Sequence, residues 1–158
     1  MKSASLFISS FVIAFYCIAQ CTEWLCLSLD SPWWTRLTYL LVHGSCLHTA
    51  VNVYSVLALA FLANARAWQG LAAFVVALFI PDCVLADTPI AGLSTYIYAQ
   101  TGIVVMQSKR WVALVCANLI LIAASFFFMD LFAVWPHIWC FSCGIFIGLI
   151  TSKRLHYD

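Results

Sequence analysis

Long apolar runs alternate with short polar stretches along the whole chain. The runs cover about residues 4–28, 38–64, 68–86, 91–107, 111–131 and 136–152. Since about 20 apolar residues cross a bilayer as a helix, this pattern predicts six transmembrane helices in a single domain over residues 1–158, an all-α fold. The four prolines fall near the predicted outer ends of the runs, where a proline is tolerated best.

Composition excludes a water-soluble domain. Hydrophobic residues make up 65% of the chain, charged residues 8%, and the mean hydropathy is +1.02. A soluble domain carries about 25% charged residues. The net charge of +1, with no basic cluster, gives no sign of nucleic-acid binding. We therefore expect a multi-pass integral membrane protein whose surroundings are the lipid bilayer.

The first run and the cysteines each have a second interpretation. Lys2 before an apolar run is typical of a cleaved signal peptide, but no small-x-small cleavage site follows, which favours a retained helix. Most of the eight cysteines lie within or beside apolar runs, where they pack as small hydrophobes. Cys140 and Cys143 form a CxxC pair in a helical context unsuited to a zinc knuckle. A disulfide at Cys21 or Cys26 is an open alternative.

The charged residues segregate by side. With the N-terminus in the cytoplasm, all the basic residues except Arg36 fall on the cytoplasmic side, while the acidic residues except Asp158 fall outside. Loops rich in Lys and Arg stay in the cytoplasm, so the pattern predicts six helices with both termini inside. The cytoplasmic basic residues are Lys2, Arg66, Lys109, Arg110, Lys153 and Arg154.

Four polar side chains converge at one depth of this predicted bundle. The second, fourth and sixth segments all begin at the outer face; His48 and Asn52 lie early in the second, Ser94 early in the fourth, and His137 opens the sixth. Intramembrane polar groups usually face the bundle interior or an aqueous cavity. Taken singly, each has a structural explanation, such as a serine bonded to its own helix. Together they indicate a site beneath the outer surface.

Residues at helical spacing predict that the fourth and sixth segments pack together. The row on the fourth segment consists of Ser94, Tyr98 and Gly102, and the row on the sixth of His137, Cys140, Gly144 and Gly148. Small residues let membrane helices approach closely. Such packing would bring the imidazole on the sixth segment beside the serine, with the tyrosine supporting it from one turn deeper.

This combination of side chains suits nucleophilic acyl transfer. A serine hydroxyl becomes a useful nucleophile when a base lies within hydrogen-bond reach, and His137 can take the proton of Ser94 and return it to the leaving group. The side chains of His48 and Asn52, with the Ser94 amide, can donate to the oxyanion. Because no acidic residue is placed to orient His137, we predict a Ser–His dyad that needs no cofactor and no metal.

Here the chain resembles the rhomboid family of intramembrane serine proteases, in its compact six-helix form. The stretch HGSCLHTAVN is similar to the family's His-x4-His-x3-Asn pattern through His43, His48 and Asn52. GLSTYIYA is similar to its Gly-x-Ser motif, with Gly92 before Ser94 and a tyrosine at position 98, and HIWCFSCG to the His-x6-Gly end of its last motif. WWTRLT looks like its Trp/Arg loop segment. The motifs appear in the expected order over essentially the whole chain.

The resemblance implies a catalytic Ser94 and His137, an oxyanion hole of His48, Asn52 and the Ser94 amide, and supporting roles for Tyr98, Gly92 and His43. It implies an endopeptidase that cleaves transmembrane or membrane-anchored proteins near the outer leaflet, in the bacterial inner membrane. Substrates would enter between the second and fifth segments, where Phe126–Phe128 and Trp135 either line the entrance or face lipid.

The chain departs from the family pattern at several positions. Thr95 replaces the usual Gly or Ala, Cys140 replaces the first glycine of the last motif, and Pro136 replaces a small residue. The loop at about 29–37 is short, as in compact members that include the rhombosortase-like branch devoted to C-terminal sorting tails. Two alternatives stay open: an inactive rhomboid-like protein that binds and escorts membrane helices, and a metal or proton site built from His43, His48 and His137.

Overall fold

The computed structural model describes residues 2–18, 23–63, 65–85, 87–125 and 131–152. The prediction of an all-α fold is confirmed, since the described part of the chain holds helices and no β-strand. The α-helices are α1 (Lys2–Ile18), α2 (Thr35–Thr38), α3 (Cys46–Phe61), α4 (Ala67–Leu78), α5 (Ser94–Val105), α6 (Trp111–Ser125) and α7 (Leu131–Thr151). In the same described ranges, 3₁₀-helices cover Glu23–Leu25 and Asp82–Val84.

The helices differ in whether they match the thickness of a bilayer. Judged by length and composition alone, one helix in the described ranges, over Val134–Thr151, is long and apolar enough to cross a membrane. The apolar stretches Ser5–Tyr16, Cys46–Phe61, Ala67–Leu78 and Trp111–Ile120 are shorter. The length of the helices therefore gives one candidate span, where the apolar runs of the sequence predict six.

The second apolar run does not form one continuous helix from residue 38. It gives the end of α2, an irregular segment at 39–45, and then α3. Ser45 is extended (φ −157°, ψ 160°), and its Oγ accepts a hydrogen bond of 3.1 Å from the His48 N–H. This is a helix N-cap, and because the cap starts α3 at Cys46, the predicted boundary was wrong.

The first apolar run likewise ends differently from its prediction. The stretch at 23–28 is a 3₁₀ turn and an extended segment, in which Leu27 exchanges two backbone hydrogen bonds of 3.0 and 2.8 Å with Ile90. Leu25, Cys26 and Leu27 are all buried. The apolar character of this stretch therefore reflects burial against the loop that precedes α5. Cys21 lies outside the described residues.

Arg36 contacts the C-terminus of α4. Its guanidinium donates to the carbonyl oxygens of Leu78 at 3.3 Å and Ile80 at 2.6 Å, and to the Asp82 carboxylate at 2.6 Å. The cation thus satisfies carbonyls at the C-terminus of α4, where a helix leaves acceptors unpaired. The helix predicted to continue to residue 86 stops at Leu78, three residues before Pro81, since a proline disfavours the helical conformation of the residue before it. The chain from 79 to 93 crosses to α5.

The fourth and sixth runs also begin at other residues than predicted. α5 begins at Ser94 because Gly92 has a φ of +108°, a left-handed conformation that ends the loop rather than starting a helix. α7 begins at Leu131, so that Pro136 lies inside the helix and His137 belongs to its second turn. The fifth run forms α6 and is described up to Ser125.

α5 and α7 pack closely through three glycines. A Cβ on Gly102 would lie 2.6 Å from the Phe141 carbonyl oxygen, one on Gly144 would overlap the Ala99 carbonyl oxygen, and one on Gly148 would lie 2.8 Å from that of Ile103. Cys140 is fully buried in the same core as Ala99 and Ile103. Backbone therefore meets backbone along this interface, and that contact sets the separation of the two helices that carry the serine and the histidine.

Candidate active site

Ser94 occupies the first position of α5. The residue follows the left-handed turn at Gly92, so its side chain projects from the start of a helix whose first amides have no partner within the helix. Those amides and the helix dipole create a positive local potential. An anion forming beside Ser94 would be stabilised there.

His137 meets this serine across the α5–α7 interface. The Oγ of Ser94 lies 2.7 Å from the Nε2 of His137, and the histidine is 5% exposed. If the serine donates in this bond, the neutral imidazole carries its hydrogen on Nδ1. The Nδ1 atom is buried and has no hydrogen-bond partner among the described residues. The arrangement therefore consists of two members, with no carboxylate behind the histidine in that part of the chain.

Tyr98 supports the imidazole from one helical turn deeper. Its ring centroid lies 4.9 Å from that of His137 with an interplanar angle of 42°, and 6.4 Å from the ring of Phe141. An aromatic face packed against the imidazole restricts its rotation. Ring packing thus orients the histidine in this site. In a Ser–His–Asp triad a hydrogen-bonded carboxylate has that role.

His48 and Asn52 face the same place from α3. A Cβ on Gly92 would lie 2.7 Å from His48 Cε1 and 3.1 Å from Asn52 Nδ2. Gly92 is thus required both by its backbone conformation and by the close approach of these two side chains. The Nδ2 of Asn52 is buried without a hydrogen-bond partner in the described ranges. A buried donor without a hydrogen-bond partner costs free energy of folding. A donor of this kind beside a serine can donate a hydrogen bond to a transient oxyanion.

His43 holds the loop rather than facing the serine. Its Nε2 accepts a 3.4 Å hydrogen bond from the Leu93 N–H, which requires the hydrogen on Nδ1, 3.1 Å from the Leu41 carbonyl oxygen. Its ring packs edge-on against His48 at a centroid distance of 5.1 Å. With both nitrogens engaged, His43 is not available as a metal ligand. The described residues contain no group of three His, Cys, Asp or Glu side chains able to hold a metal ion.

Two cavities meet at the serine and the histidine. The loop-side cavity, of about 360 Å³, is lined by Ser94, His137 and His48 together with Glu23, Cys26, Tyr39, Gly44, Pro89, Ile90, Ala91, Gly92 and Thr95. The α3-side cavity, of about 210 Å³, is lined by the same three residues with Val51, Asn52, Ser55, Ile97 and Tyr98. His48, Ser94 and His137 therefore border both cavities.

The α3-side cavity adjoins a larger groove between α3 and α6. This α3–α6 groove has a volume of about 530 Å³ and shares Val51, Ser55, Ile97 and Tyr98 with the cavity, reaching Asn118 on α6. Within the described ranges α6 contacts α5 and α7 but not α3. Trp135 is exposed, whereas Phe126–Phe128 lie outside the described residues.

Sequence reasoning missed several residues that shape the site. Tyr39 is buried in the segment before α3. Its carbonyl oxygen accepts a hydrogen bond from the Gly92 N–H, and its hydroxyl bonds to the Thr95 hydroxyl, next to Ser94. Glu23 is the one charged residue of the described loop-side lining. The hydroxyl of Tyr39 inside an apolar run was a signal that could have identified this residue. The position of Glu23 in the lining depends on the non-helical path of residues 23–28, which periodicity does not reveal.

Comparisons with protein-family models, with curated proteins and with solved structures find no match to this chain.

Proposed function

We propose that this protein is an intramembrane serine endopeptidase of the rhomboid type. The observation that carries the proposal is the 2.7 Å contact between Ser94 Oγ and His137 Nε2, made between two helices beside an unpaired buried amide donor. The motif resemblance over the second, fourth and sixth segments supports it.

The membrane setting is supported by the surface of the helices. Large apolar side chains are exposed on helix after helix, among them Phe7, Leu47, Leu71, Ile120 and Phe146, each at least 65% exposed. Soluble monomers rarely expose apolar patches of more than a few hundred Å². We propose that α1, α3, α4, α5, α6 and α7 all cross the membrane, as six spans.

The distribution of charge supports an orientation for these spans. The Lys2 ammonium lies 5.4 Å from the ring centroid of Phe61, so the start of α1 and the end of α3 share one end of the bundle. Arg36 and Asp82 pair at the opposite end of α4 from Arg66. With the Lys2 end in the cytoplasm, the positive-inside rule is satisfied.

A topology reporter tests this orientation. Alkaline phosphatase or a fluorescent protein fused after Arg154 should report the cytoplasm, because the basic residues Lys109 and Arg110 also lie on that side. The same reporter inserted after Asp87 should report the outside and serves as the internal control. An external signal from the fusion after Arg154 would contradict the proposed orientation, and the proposed depth of the site would be wrong as well.

The proposed chemistry is acyl transfer in two steps. Ser94 Oγ attacks the carbonyl carbon of the scissile peptide bond while its proton passes to His137 Nε2. The tetrahedral oxyanion accepts hydrogen bonds from Asn52, His48 and the Ser94 amide. Collapse breaks the C–N bond, and the amine leaves with the proton from His137. Water then attacks the acyl-serine ester while His137 takes its proton. Collapse breaks the C–O bond to Ser94, and His137 returns the proton to the serine oxygen. Each proton has an acceptor within these residues, so the sequence of steps uses no cofactor and no metal.

The proposed substrates are transmembrane or membrane-anchored proteins. Their chains would enter through the α3–α6 groove, which leads from a lipid-facing gap to the α3-side cavity and Ser94. This corresponds to entry between the second and fifth spans.

The inactive escort protein remains the alternative from another class. Thr95, the residue that favours it, hydrogen-bonds to Tyr39 and is 2% exposed. Its side chain thus leaves the Ser94–His137 contact open, and no further observation favours the alternative. Fluorophosphonate labelling separates the two functions, because only an activated serine reacts at an appreciable rate. A wild-type protein that takes up no label would refute the peptidase.

The oxyanion assignment makes its own prediction at Asn52. Asn52→Ala should slow fluorophosphonate labelling by ~10–1000-fold, because the lost donor serves a charge present only in the transition state. Its Nδ2 has no partner to lose in the resting site, so the melting temperature should change little. The control is Asn118→Ala, whose Nδ2 bonds to its own helix at Leu114. Labelling at the wild-type rate by Asn52→Ala would remove this residue from the oxyanion hole.

A further inference from the structure

A buried pair of hydroxyl groups lies directly beside the candidate nucleophile. Thr95 follows Ser94 on α5, and its Oγ1 is 2.8 Å from the hydroxyl of Tyr39. Tyr39 is fully buried and Thr95 is 2% exposed. A serine or threonine in the first turn of a helix usually bonds within its own helix or to water. Here the partner comes from a segment 56 residues away in the chain.

The direction of these hydrogen bonds follows from the number of protons. The Tyr39 hydroxyl lies 2.8 Å from the Ala77 carbonyl oxygen, which can only accept. The single hydrogen of the tyrosine is therefore donated to Ala77, and Thr95 donates to the tyrosine oxygen. The chain Thr95 to Tyr39 to Ala77 is then fully satisfied, and hydrogen bonds in series strengthen one another in a buried setting.

The same segment also holds the residues before the nucleophile. The Tyr39 carbonyl oxygen accepts a 2.7 Å hydrogen bond from the Gly92 N–H, and His43 accepts one from the Leu93 N–H. The chain is thus fixed by Tyr39 on both sides of Ser94, two residues before it and one residue after it. Tyr39 in turn is bonded to the end of α4, at Ala77.

We propose that Tyr39 is a positioning residue for the nucleophile and acts through the Thr95 hydroxyl. The inference rests on the proposed function. A helix turns by about 100° per residue, so fixing the Thr95 side chain toward Tyr39 fixes the direction of Ser94 Oγ toward His137. The first turn of a helix has the fewest backbone hydrogen bonds. The Tyr39–Thr95 pair holds this turn of α5 at the rotation about the helix axis that keeps Ser94 Oγ 2.7 Å from His137 Nε2.

The pair gives the departure at Thr95 a role. The resembling family usually has Gly or Ala at this position, and neither can donate a hydrogen bond to a tyrosine. In this chain the threonine hydroxyl is the group that meets Tyr39. Removal of either hydroxyl should therefore have the same consequence as removal of both.

The experiment measures the rate at which Ser94 reacts with a small fluorophosphonate, which reports the nucleophile without a contribution from protein-substrate binding. Tyr39→Phe, Thr95→Val and the double variant are compared with Thr95→Ser, which keeps the hydroxyl. We expect the first two to label about 10- to 100-fold more slowly, since a displacement of about 1 Å costs rate on this scale. The double variant should be no slower than either, and Thr95→Ser should stay within a few-fold of wild type.

The matched control is Thr49→Val. Thr49 is also a buried threonine in the first turn of a helix, and its Oγ1 donates to the Ser45 carbonyl oxygen at 2.9 Å. This variant should lose thermal stability to a similar degree as Thr95→Val while labelling at the wild-type rate. A purely structural role for Tyr39 predicts instead that all folded variants label alike.

The possible outcomes separate this inference from the proposed function. If wild type takes up no label, the nucleophile and the inference fall together. If wild type labels and Thr95→Val labels equally fast, or if the effects of the two single variants multiply, only the inference falls. Should Tyr39→Phe fail to fold, the comparison of Thr95→Val with Thr95→Ser still decides the matter.

Discussion

Ser94→Ala should abolish both fluorophosphonate labelling and cleavage of any membrane-anchored substrate. The variant removes the atom proposed to form the acyl bond, so turnover should fall by a factor on the order of 10⁴ or more. The free energy of unfolding should change by no more than about 1 kcal/mol, because a single hydrogen bond of 2.7 Å to His137 is lost. Label uptake and melting temperature are measured on the same preparation.

Ser55→Ala is the matched control for this experiment. Ser55 also lines the α3-side cavity, but its Oγ donates to the Val51 carbonyl oxygen of its own helix at 2.8 Å. It should take up the small fluorophosphonate at the wild-type rate. Cleavage that persists in Ser94→Ala, or label found by mass spectrometry on another residue, would show that Ser94 is not the nucleophile.

Gly144→Ala should destabilise the protein more than any other single methyl group added along α7. The added Cβ would overlap the Ala99 carbonyl oxygen, and a backbone atom in a packed helix cannot move aside as a flexible side chain can. α5 and α7 must therefore separate, which should lower the free energy of unfolding by at least about 2 kcal/mol. Labelling should fall as well, because the same separation carries His137 away from Ser94.

Gly44→Ala provides the comparison for stability. A Cβ at Gly44 would meet no heavy atom within 4 Å, so this substitution should leave the melting temperature almost unchanged. Equal melting temperatures for the variants at positions 144 and 44 would contradict the close packing of α5 on α7. Thermal melts in detergent, followed by circular dichroism, are sufficient to compare them.

The part of the fold that could be predicted from the sequence is its helical character, because runs of apolar residues report burial or lipid contact directly. Several of their ends could not, because contacts with distant parts of the chain lie there. Arg36 bonds to the carbonyl oxygens of Leu78 and Ile80 at the end of α4, and Leu27 pairs with Ile90 outside any helix. Ser45 before α3 and Gly92 before α5 are local signals that could have been recognised.

The prediction of the candidate site depended less on where each helix begins and ends. Helical spacing alone put Ser94 and Tyr98 on one face, and the small residues Gly102 and Gly144 indicated which helices approach closely. The structure brings Ser94 to His137 even though α7 starts several residues earlier than predicted. What spacing could not supply is the partner of Thr95, because Tyr39 lies in an irregular segment with no period to interpret.

The shortness of α4, whose Leu71 and Val75 are exposed, has a consequence for the proposed membrane setting. At 1.5 Å per residue, its 12 residues extend about 18 Å, well short of a hydrocarbon core of about 30 Å. Beside a proposed span of this length the bilayer must become thinner, which costs free energy. Bilayers of short-chain phosphatidylcholines match the helix better than long-chain ones. In the proposed membrane protein, acyl-chain length is therefore a variable that affects stability independently of any residue at the site.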